Sequence, residues 1–300
     1  MNKNEAWIKE SLEQFQRGNM TAHNLIDVRE VYLRMTDERL LEIISQDNFY
    51  YADDKGVLIL DDTFNAMEKI KDNSIDMVFA DPPYFLSNDG ISCQAGKMVS
   101  VNKGNWDKAE TLEEKHAFNC AWIKECYRVL KTSGTIWISG TFHNIYSIGM
   151  ALEQNGFKIL NNITWQKTNP PPNLACKCFT HSTETIIWAK KDLKKAKPIF
   201  NYQLMKEQNG GKQMKDVWQG SLTSPKEKKN GKHPTQKPLY LLDRIVEAST
   251  NEGCIVLDPF VGSGTTAISA SNHNCLYIGI DNNEEYLDLA KRRLETEVTK

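Results

Sequence analysis

The sequence predicts an α/β fold with a doubly wound, mostly parallel sheet. Residues 75–80 and 254–257 form short, unbroken apolar runs, as expected of strands that are buried on both faces. From Val57 onward, such runs alternate with segments whose apolar residues recur at helical spacing. Strands separated by helices imply right-handed crossovers and a sheet covered on both faces. Because ligands of such sheets bind beyond the carboxyl ends of the strands, the residues after these runs are the first candidates for a functional site.

The individual elements follow from periodicity and capping residues. Residues 4–50 are predicted to be helical, with Thr21 and Thr36 as candidate N-caps. Residues 85–108 are rich in Gly, Ser and Asn and lack periodicity, which predicts a long loop of the kind that is usually functional or mobile. Strands are predicted at residues 57–60, 75–80, 135–139, 159–167, 185–189, 254–258 and 276–281. Helices are predicted at residues 64–70, 111–130, 142–154, 238–249, 265–272 and 283–297.

Length and composition describe a soluble globular protein with one large core and room for an insertion. The chain has 300 residues, of which 40% are hydrophobic and 25% charged. No apolar run approaches the roughly 20 residues of a membrane span, and the N-terminus lacks a signal-peptide pattern. Cys176, Cys178 and His181 leave a zinc site open, but half of a ligand set is missing. Free thiols, no metal and the reducing cytoplasm are therefore expected.

The net charge of −2 hides an uneven distribution of charge. Residues 190–237 contain thirteen lysines and four acidic residues, a balance of +9, whereas residues 1–56 have a balance of −4. A lysine-rich stretch is often only a solvated loop. Clustering beside a candidate site favours contact with a polyanion such as nucleic acid.

Two motifs lie at the ends of predicted strands. Residues 258–266, Asp-Pro-Phe-Val-Gly-Ser-Gly-Thr-Thr, join a strand to a helix through a Gly-rich turn, where a ligand can approach backbone N–H groups. Residues 81–84, Asp-Pro-Pro-Tyr, follow another strand, and their prolines leave carbonyl groups free to accept hydrogen bonds. If the two strands are neighbours, both motifs share one crevice. Asp281, at the end of the next strand, could bind ribose hydroxyls. A dinucleotide site is the alternative, but the chain offers no obvious hydride-transfer group.

Both motifs resemble those of S-adenosylmethionine-dependent amino-group DNA methyltransferases, in the permuted order called β. The resemblance covers residues 57–297. It extends to Ser-Gly at 139–140 with His-Asn-Ile-Tyr at 143–146, to Thr-Trp-Gln-Lys-Thr-Asn-Pro at 164–170 and to His-Pro-Thr-Gln-Lys-Pro at 233–238. More narrowly, the chain is similar to the second methyltransferase of DpnII-type restriction systems. That resemblance implies adenine-N6 methylation in GATC, with single-stranded DNA also accepted, within a restriction–modification system. It further implies a homodimer.

The family also implies how the chain is divided. We expect a Rossmann-like methyltransferase domain whose catalytic half is residues 57–190 and whose cofactor-binding half is residues 233–300. Residues 191–232 would be the inserted target-recognition region, and residues 1–56 a helical N-terminal extension.

The resemblance assigns site residues in three groups. The catalytic residues are Asp81, Pro82, Pro83 and Tyr84. The residues that bind S-adenosylmethionine are Asp62, Thr63, Asp81, His233, Thr235, Lys237, Asp258, Pro259, Phe260, Gly262, Ser263, Gly264, Thr265, Thr266, Asp281 and Asn282. The DNA- or base-binding residues are Trp165, Lys167, Asn169, Lys226, Lys228 and Lys229, although Trp165 is equally well interpreted as a core residue.

Chemistry supports amino methylation independently of the resemblance. An exocyclic amine is a poor nucleophile, and Asp81 with the carbonyl of Pro82 can accept its two N–H groups and orient the nitrogen lone pair. The target base must leave the duplex to be reached, and Tyr84 would stack on it. An acidic first motif residue resembles adenine-directed members, whereas serine there resembles cytosine-N4 members. An RNA or protein amino-methyltransferase and a non-catalytic DNA-binding subunit are the alternatives.

Overall fold

A nine-stranded mixed sheet forms the centre of the protein. The structure is a computed structural model that describes residues 36–46, 48–84, 91–94, 97–100 and 111–298. The strands of the sheet are β1 (Tyr51–Ala52), β2 (Gly56–Leu60), β3 (Ile75–Ala80), β6 (Leu130–Gly140), β7 (Phe157–Lys167), β8 (Thr183–Lys191), β9 (Val217–Gly220), β10 (Ile255–Asp258) and β11 (Leu276–Asp281). A separate hairpin contains β4 (Ile91–Gln94) and β5 (Lys97–Ser100).

The strand order is β1-β2-β11-β10-β3-β6-β8-β7-β9. The five strands from β2 to β6 in that order pair in parallel. β8 runs antiparallel between β6 and β7, and β9 is added in parallel at the edge. The predicted mostly parallel sheet is therefore confirmed, with a mixed segment at one side.

Helices cover both faces of the sheet, as the doubly wound prediction requires. The α-helices of the described residues are α1 (Glu38–Ile43), α2 (Thr63–Glu68), α3 (Leu112–Val129), α4 (Ile145–Gln154), α5 (Tyr202–Gln208), α6 (Leu239–Ser249), α7 (Thr265–Asn272) and α8 (Glu284–Glu297). One core cluster joins α1 to α4 to the sheet, with Trp122 and Leu152 at its centre. The opposite cluster joins α5 to α8, with Leu241 and Ile268 fully buried. No helix of the described residues is both long and apolar enough to cross a bilayer.

Several predicted boundaries were wrong for local reasons. The N-cap of α1 is Asp37 and not Thr36, because the Asp37 carboxylate accepts from the backbone N–H of Arg39 and also pairs with its guanidinium. Residues 131–134 do not form a loop after α3. β6 begins directly at Leu130, and a register shift against β3 accommodates the polar residues. The predicted helices before residue 36, with the Thr21 cap, lie outside the described residues.

Two predicted irregular segments contain regular structure. The predicted loop 85–108 contains the antiparallel strands β4 and β5, which pair from Ile91 with Ser100 to Gln94 with Lys97. The lysine-rich segment contains α5, β9 and a 3₁₀ turn at Pro225–Lys228. Its strand β9 extends the main sheet alongside β7.

The parallel register brings the two sequence motifs to one edge of the sheet. Val256 pairs with Met77 and Leu257 with Val78, so β10 and β3 are neighbours. Asp281 is opposite Leu60, and Ala80 is opposite Ile138. The strands β2, β11, β10, β3 and β6 therefore all end at the same side, which we call the carboxyl edge.

Candidate active site

A cavity of about 260 Å³ lies at the carboxyl edge, between the Gly-rich turn and the Asp-Pro-Pro-Tyr motif. Its lining includes every residue predicted to bind the cofactor except Gly264. These residues are Asp62, Thr63, Asp81, His233, Thr235, Lys237, Asp258, Pro259, Phe260, Gly262, Ser263, Thr265, Thr266, Asp281 and Asn282. The topology thus brings together residues that are up to 220 positions apart.

The Gly-rich turn requires its two glycines. Gly262 and Gly264 have φ values of 48° and 78°, a left-handed conformation that L side chains rarely adopt. A Cβ atom on Gly264 would lie 2.8 Å from the Cβ of Ala290, and one on Gly262 would lie 3.1 Å from the ring of His233. Gly264 is the N-cap of α7 and allows the turn to pass close to α8, although it does not line the cavity.

A buried arginine that sequence reasoning missed supports this turn. Arg293 of α8 is fully buried and donates to the carbonyl oxygen of Ser263 at 2.7 Å and to Oγ1 of Thr265 at 3.0 Å. Its charge is paired with Glu297 one helical turn later. From sequence, an arginine in a helix is usually interpreted as a surface residue. Only the position of Arg293 on the apolar face of α8 could have indicated that it is buried.

Two carboxylates hold the backbone of the same region. Oδ2 of Asp281 accepts from the N–H of Gly262 at 2.9 Å, and Oδ1 accepts from the N–H of Asn283. Burial raises the pKa of Asp281. Asp258 accepts from the hydroxyl of Thr266 and from the N–H of Phe260, and burial raises its pKa to about 7.

Aromatic rings form an apolar wall of the cavity. Phe118 of α3 packs at 5.8 Å from Phe64 and 6.3 Å from Phe260, measured between ring centroids. Tyr286 of α8 contacts the ring of His233 at 4.3 Å. Phe118 and Tyr286 were not predicted, because at helical spacing an aromatic residue has the same pattern whether it faces the core or a cavity. A flat ligand fits between such rings.

The Asp-Pro-Pro-Tyr motif lies at the opposite wall. Asp81 accepts from the phenol of Tyr84 through Oδ1 and from Nζ of Lys237 through Oδ2, each at 2.5 Å. Lys237 also donates to the Tyr84 hydroxyl at 3.0 Å. Tyr84 is buried in this arrangement, with its ring under Lys237. The proposed stacking of Tyr84 on a target base therefore requires the ring to rotate outward.

A second buried carboxylate, Glu184, extends this network. Its Oε2 lies 3.5 Å from Nζ of Lys237, and its Oε1 lies 2.7 Å from Nζ of Lys167. The four side chains Asp81, Lys237, Glu184 and Lys167 are each exposed by 14% or less. We call them the buried charge network. Glu184 was missed, since a single glutamate in a strand carries no sequence signal.

Three members of the buried charge network, Asp81, Lys237 and Glu184, have shifted pKa values. Burial raises the pKa of Asp81, and Lys237 only partly opposes that effect. Burial alone would lower the pKa of Lys237, but Asp81 and Glu184 hold it well above its usual value. Burial would likewise raise the pKa of Glu184, yet Lys237 and Lys167 lower it. Lys237 is therefore charged at neutral pH and compensates two carboxylates.

The residues predicted to bind DNA have different environments. Trp165 is buried and donates to the hydroxyl of Tyr240, which favours its interpretation as a core residue. Lys167 belongs to the buried charge network. Asn169 is exposed, and its side chain accepts from the N–H of Leu222.

The lysine-rich segment is divided between the two edges of the sheet. Lys190 and Lys191 end β8 at the edge where β6 begins, because Lys190 is opposite Thr135. Lys226, Lys228 and Lys229 lie at or directly after the 3₁₀ turn. Glu227 fixes that turn to the cavity wall by accepting from the N–H of Leu239, and its carbonyl accepts from Gln236. Only this second group lies beside the site.

The geometry defines a class of enzyme. A cavity with a Gly-rich turn, an apolar wall and a buried carboxylate at the end of β11, facing Asp-Pro-Pro-Tyr at the carboxyl edge of a parallel sheet, is the arrangement of an S-adenosylmethionine-dependent amino-group methyltransferase. The sequence comparisons agree: residues 75–292 match the DNA methylase family of N6 and N4 methyltransferases, so the chain belongs to that family. It is an S-adenosylmethionine-dependent DNA adenine-N6 methyltransferase, as predicted.

The chain is similar to two type II methyltransferases. The chain is 63% identical over 248 residues to M2.DpnII of Streptococcus pneumoniae, covering 83% of this chain and 92% of that protein. It is 51% identical over 246 residues to M2.MboI of Moraxella bovis, covering 82% and 90%.

Solved structures share the fold. The M1.HpyAVI–SAM complex matches with a TM-score of 0.60 and 28% identity, over 80% of this chain and 98% of that one. The cytosine-N4-specific PvuII DNA methyltransferase matches with a TM-score of 0.64 and 18% identity, over 80% and 86%, which indicates a common fold alone.

Proposed function

We propose that the protein methylates the adenine of GATC sites and that Asp81 orients the target amine. The observation that carries the proposal is the position of Asp81 in the same cavity as the Gly-rich turn, at the end of the strand paired with β10. GATC is supported by the similarity to M2.DpnII and to the second methyltransferases of DpnII-type systems.

The cavity fits S-adenosylmethionine. Asp281 would accept from the ribose hydroxyls with the lone pairs that its two backbone N–H partners leave free. Asp62 and the rings of Phe64 and Phe118 would hold the adenine, and Phe260 with Gly262 would approach the methionine part. His233, Thr235 and Lys237 lie at the end where the amino acid carboxylate would bind, although Lys237 is already paired with Asp81. When bound, the cofactor supplies an electrophilic methyl group.

Asp81 would act by orientation and charge. An ionised carboxylate accepts an N–H of the amine, and the Pro82 carbonyl would accept the second. The nitrogen lone pair is then directed out of the ring plane toward the methyl group. As the nitrogen–carbon bond forms, the bond from that carbon to the sulfonium sulfur would break and leave a neutral thioether, and the proton that the amine loses would pass to water. Lys237 keeps the acceptor oxygens of Asp81 in place without itself touching the amine.

DNA would approach along the carboxyl edge, with Lys226, Lys228 and Lys229 neutralising phosphates beside the cavity. We further propose that the enzyme accepts both double- and single-stranded DNA, that it acts as a homodimer and that it resides in the cytoplasm. Residues 191–232, with β9 and the 3₁₀ turn, would read the target sequence.

Radiolabelled methyl transfer tests the proposal directly. Duplexes with one GATC site should be labelled, whereas duplexes in which the same bases are permuted to GTAC should not. Single-stranded GATC oligonucleotides should also accept label, and digestion to nucleosides should give N6-methyladenine. Equal labelling of both duplexes would refute the GATC assignment, and label in cytosine would refute the assignment of the base.

A further inference from the structure

Three exposed aromatic rings, one pair of them stacked, lie together beside the Asp-Pro-Pro-Tyr motif. The ring of Phe142 lies 4.6 Å from that of His181 with an interplanar angle of 22°, and 3.8 Å from that of His143 at 35°. Phe142 is 48% exposed, and both histidines are exposed as well. We call Phe142, His143 and His181 the aromatic column.

The column is positioned by the same strands that position Asp81. Phe142 follows the end of β6, and His181 precedes the start of β8. These ends are adjacent because Gly140 is opposite Thr185. β6 is also the neighbour of β3, and the side chain of Asn144 donates to the carbonyl oxygen of Pro83 at 3.4 Å. The aromatic column therefore lies at the carboxyl edge, directly beside the Asp-Pro-Pro-Tyr motif.

Exposed stacked rings differ from the other stacked pair of the described residues. Trp137 and Trp188 stack at 4.9 Å, but both are buried in the core cluster of α5 to α8, where packing alone accounts for them. The rings of the aromatic column are instead exposed. The loop from which His181 comes also carries Phe179, which is 96% exposed, and the exposed Lys177. Exposed aromatic rings with nearby positive charge form the surface on which proteins stack unpaired nucleobases.

We propose that the aromatic column is a stacking platform for the nucleobase adjacent to the extruded adenine on the same strand. The inference rests on the proposed DNA substrate and adds a contact outside the cofactor cavity and outside Asp-Pro-Pro-Tyr. An extruded adenine leaves its neighbours unstacked on one side, and a ring at the rim of the site replaces the lost stacking. The same contact serves a single strand, because every base offers a π-face.

Substituting Phe142 tests the platform. Phe142→Ala is expected to raise the Kd for GATC oligonucleotides by roughly 5- to 100-fold, the range for loss of one base–aromatic stack. The single-turnover rate at saturating DNA and the Kd for S-adenosylmethionine should stay within about twofold. Phe142→Trp should retain affinity. The control is Tyr202→Ala, which removes an aromatic side chain of similar exposure (44%). Tyr202 lies away from the carboxyl edge, because its neighbour Asn201 donates to carbonyl groups at the C-terminal end of α6. That control should bind DNA like the wild type.

Abasic substitutions in the DNA identify the partner base. Removing the base on the 5′ or the 3′ side of the adenine should weaken binding of the wild type at one of these positions. At that position, the abasic substitution should have little further effect on the Kd of Phe142→Ala, because the abasic site and the mutation remove the same contact. Additive losses at both positions, or coupling only to the base opposite the adenine, would overturn the proposal. So would wild-type DNA affinity for a Phe142→Ala protein with an unchanged Tm. If the wild type does not methylate GATC, the proposed function fails instead.

Discussion

The two walls of the cavity are built by different means. The centre of the cofactor wall is the Gly-rich turn, one continuous stretch at residues 258–266, whose backbone N–H and carbonyl groups bond to Asp281 and Arg293. The target wall is the buried charge network, whose members come from four separate segments. Lys237 and Asp81 alone are 156 positions apart. The turn of the first wall is specified by one local stretch, whereas the second wall exists only when the whole sheet has formed.

This difference predicts different responses to mutation. Contacts to backbone groups can be lost one at a time, and each loss loosens the turn. In the buried charge network, removing one ion leaves its partner charged and uncompensated, which is costly in a buried site. Variants of the target wall should therefore change the chemical step, whereas variants of the cofactor wall should change cofactor affinity.

The largest effect is expected from Asp81→Ala. Loss of the contact that orients the amine should reduce the single-turnover rate by about two to three orders of magnitude. DNA affinity should stay near wild type, because phosphate contacts supply most of it. Asp81→Asn keeps one acceptor oxygen and should retain more activity than Asp81→Ala. A near-wild-type rate for Asp81→Ala at saturating DNA and cofactor would remove Asp81 from the reaction.

A smaller loss is expected from Glu184→Gln, which leaves Lys237 and Lys167 without their shared carboxylate. Lys237 would stay bonded to Asp81 but lose its second anchor, so the pair should shift together and lower the rate by about 10- to 100-fold. Glu184→Asp restores the charge and should recover part of the rate. If the single-turnover rates of the two Glu184 variants decrease only in proportion to their decrease in Tm, Glu184 has only a structural role.

The pH profile of Glu184→Gln gives an independent check. Lys237, Glu184 and the phenol of Tyr84 face Asp81, and burial together with Glu184 raises the pKa of Asp81. Activity should therefore be lost as the pH falls through that raised pKa, because a protonated Asp81 is a poorer acceptor. Without the charge of Glu184 the pKa of Asp81 decreases, so the acid limb of the single-turnover profile should move to lower pH. If the acid limb stays in place or moves to higher pH, Glu184 does not raise the pKa of Asp81.

Features that depend on a local stretch could be predicted from the sequence, whereas features that depend on distant partners could not. The strands 75–80 and 276–281 were predicted at their observed bounds, because burial on both faces leaves a local apolar run. The antiparallel strands β4 and β5 were missed, because their segments lack the alternating apolar pattern and the turn sequences that predict a hairpin.

The residues that act through distant partners could not be predicted. Glu184 and Arg293 take their roles from neighbours in space, and Phe118 follows a helical spacing that also suits the core. Lys237 was expected to bind the cofactor, and nothing near it in sequence indicates that Asp81 is its partner.

On the cofactor wall, Arg293→Met should weaken cofactor binding. The substitution keeps an unbranched buried side chain but removes the donors to Ser263 and Thr265. The Kd for S-adenosylmethionine should rise by about tenfold, in line with the loss of a charge-assisted hydrogen bond. The single-turnover rate at saturating cofactor should change little. Arg292→Met is the matched control, since Arg292 has an exposed contact to Asn230 and none to the turn. Equal Kd values for the two variants, measured by calorimetry, would mean that Arg293 does not support the turn.

The smallest effect on chemistry is expected from the surface lysines, which belong to neither wall. The triple change of Lys226, Lys228 and Lys229 to Ala should weaken binding to all DNA sequences alike. If all three contact phosphates, the slope of log Kd against log salt should decrease by about 2.7, or roughly 0.9 per contact. The matched control is the same change at Lys194, Lys195 and Lys197, which are exposed and follow the end of β8 at the opposite edge. Both triples remove three charges from the +9 segment, so net charge alone would alter the two slopes equally. A selective decrease for the first triple would place DNA along the carboxyl edge. Equal slopes would mean that the lysine-rich segment acts only through its overall charge.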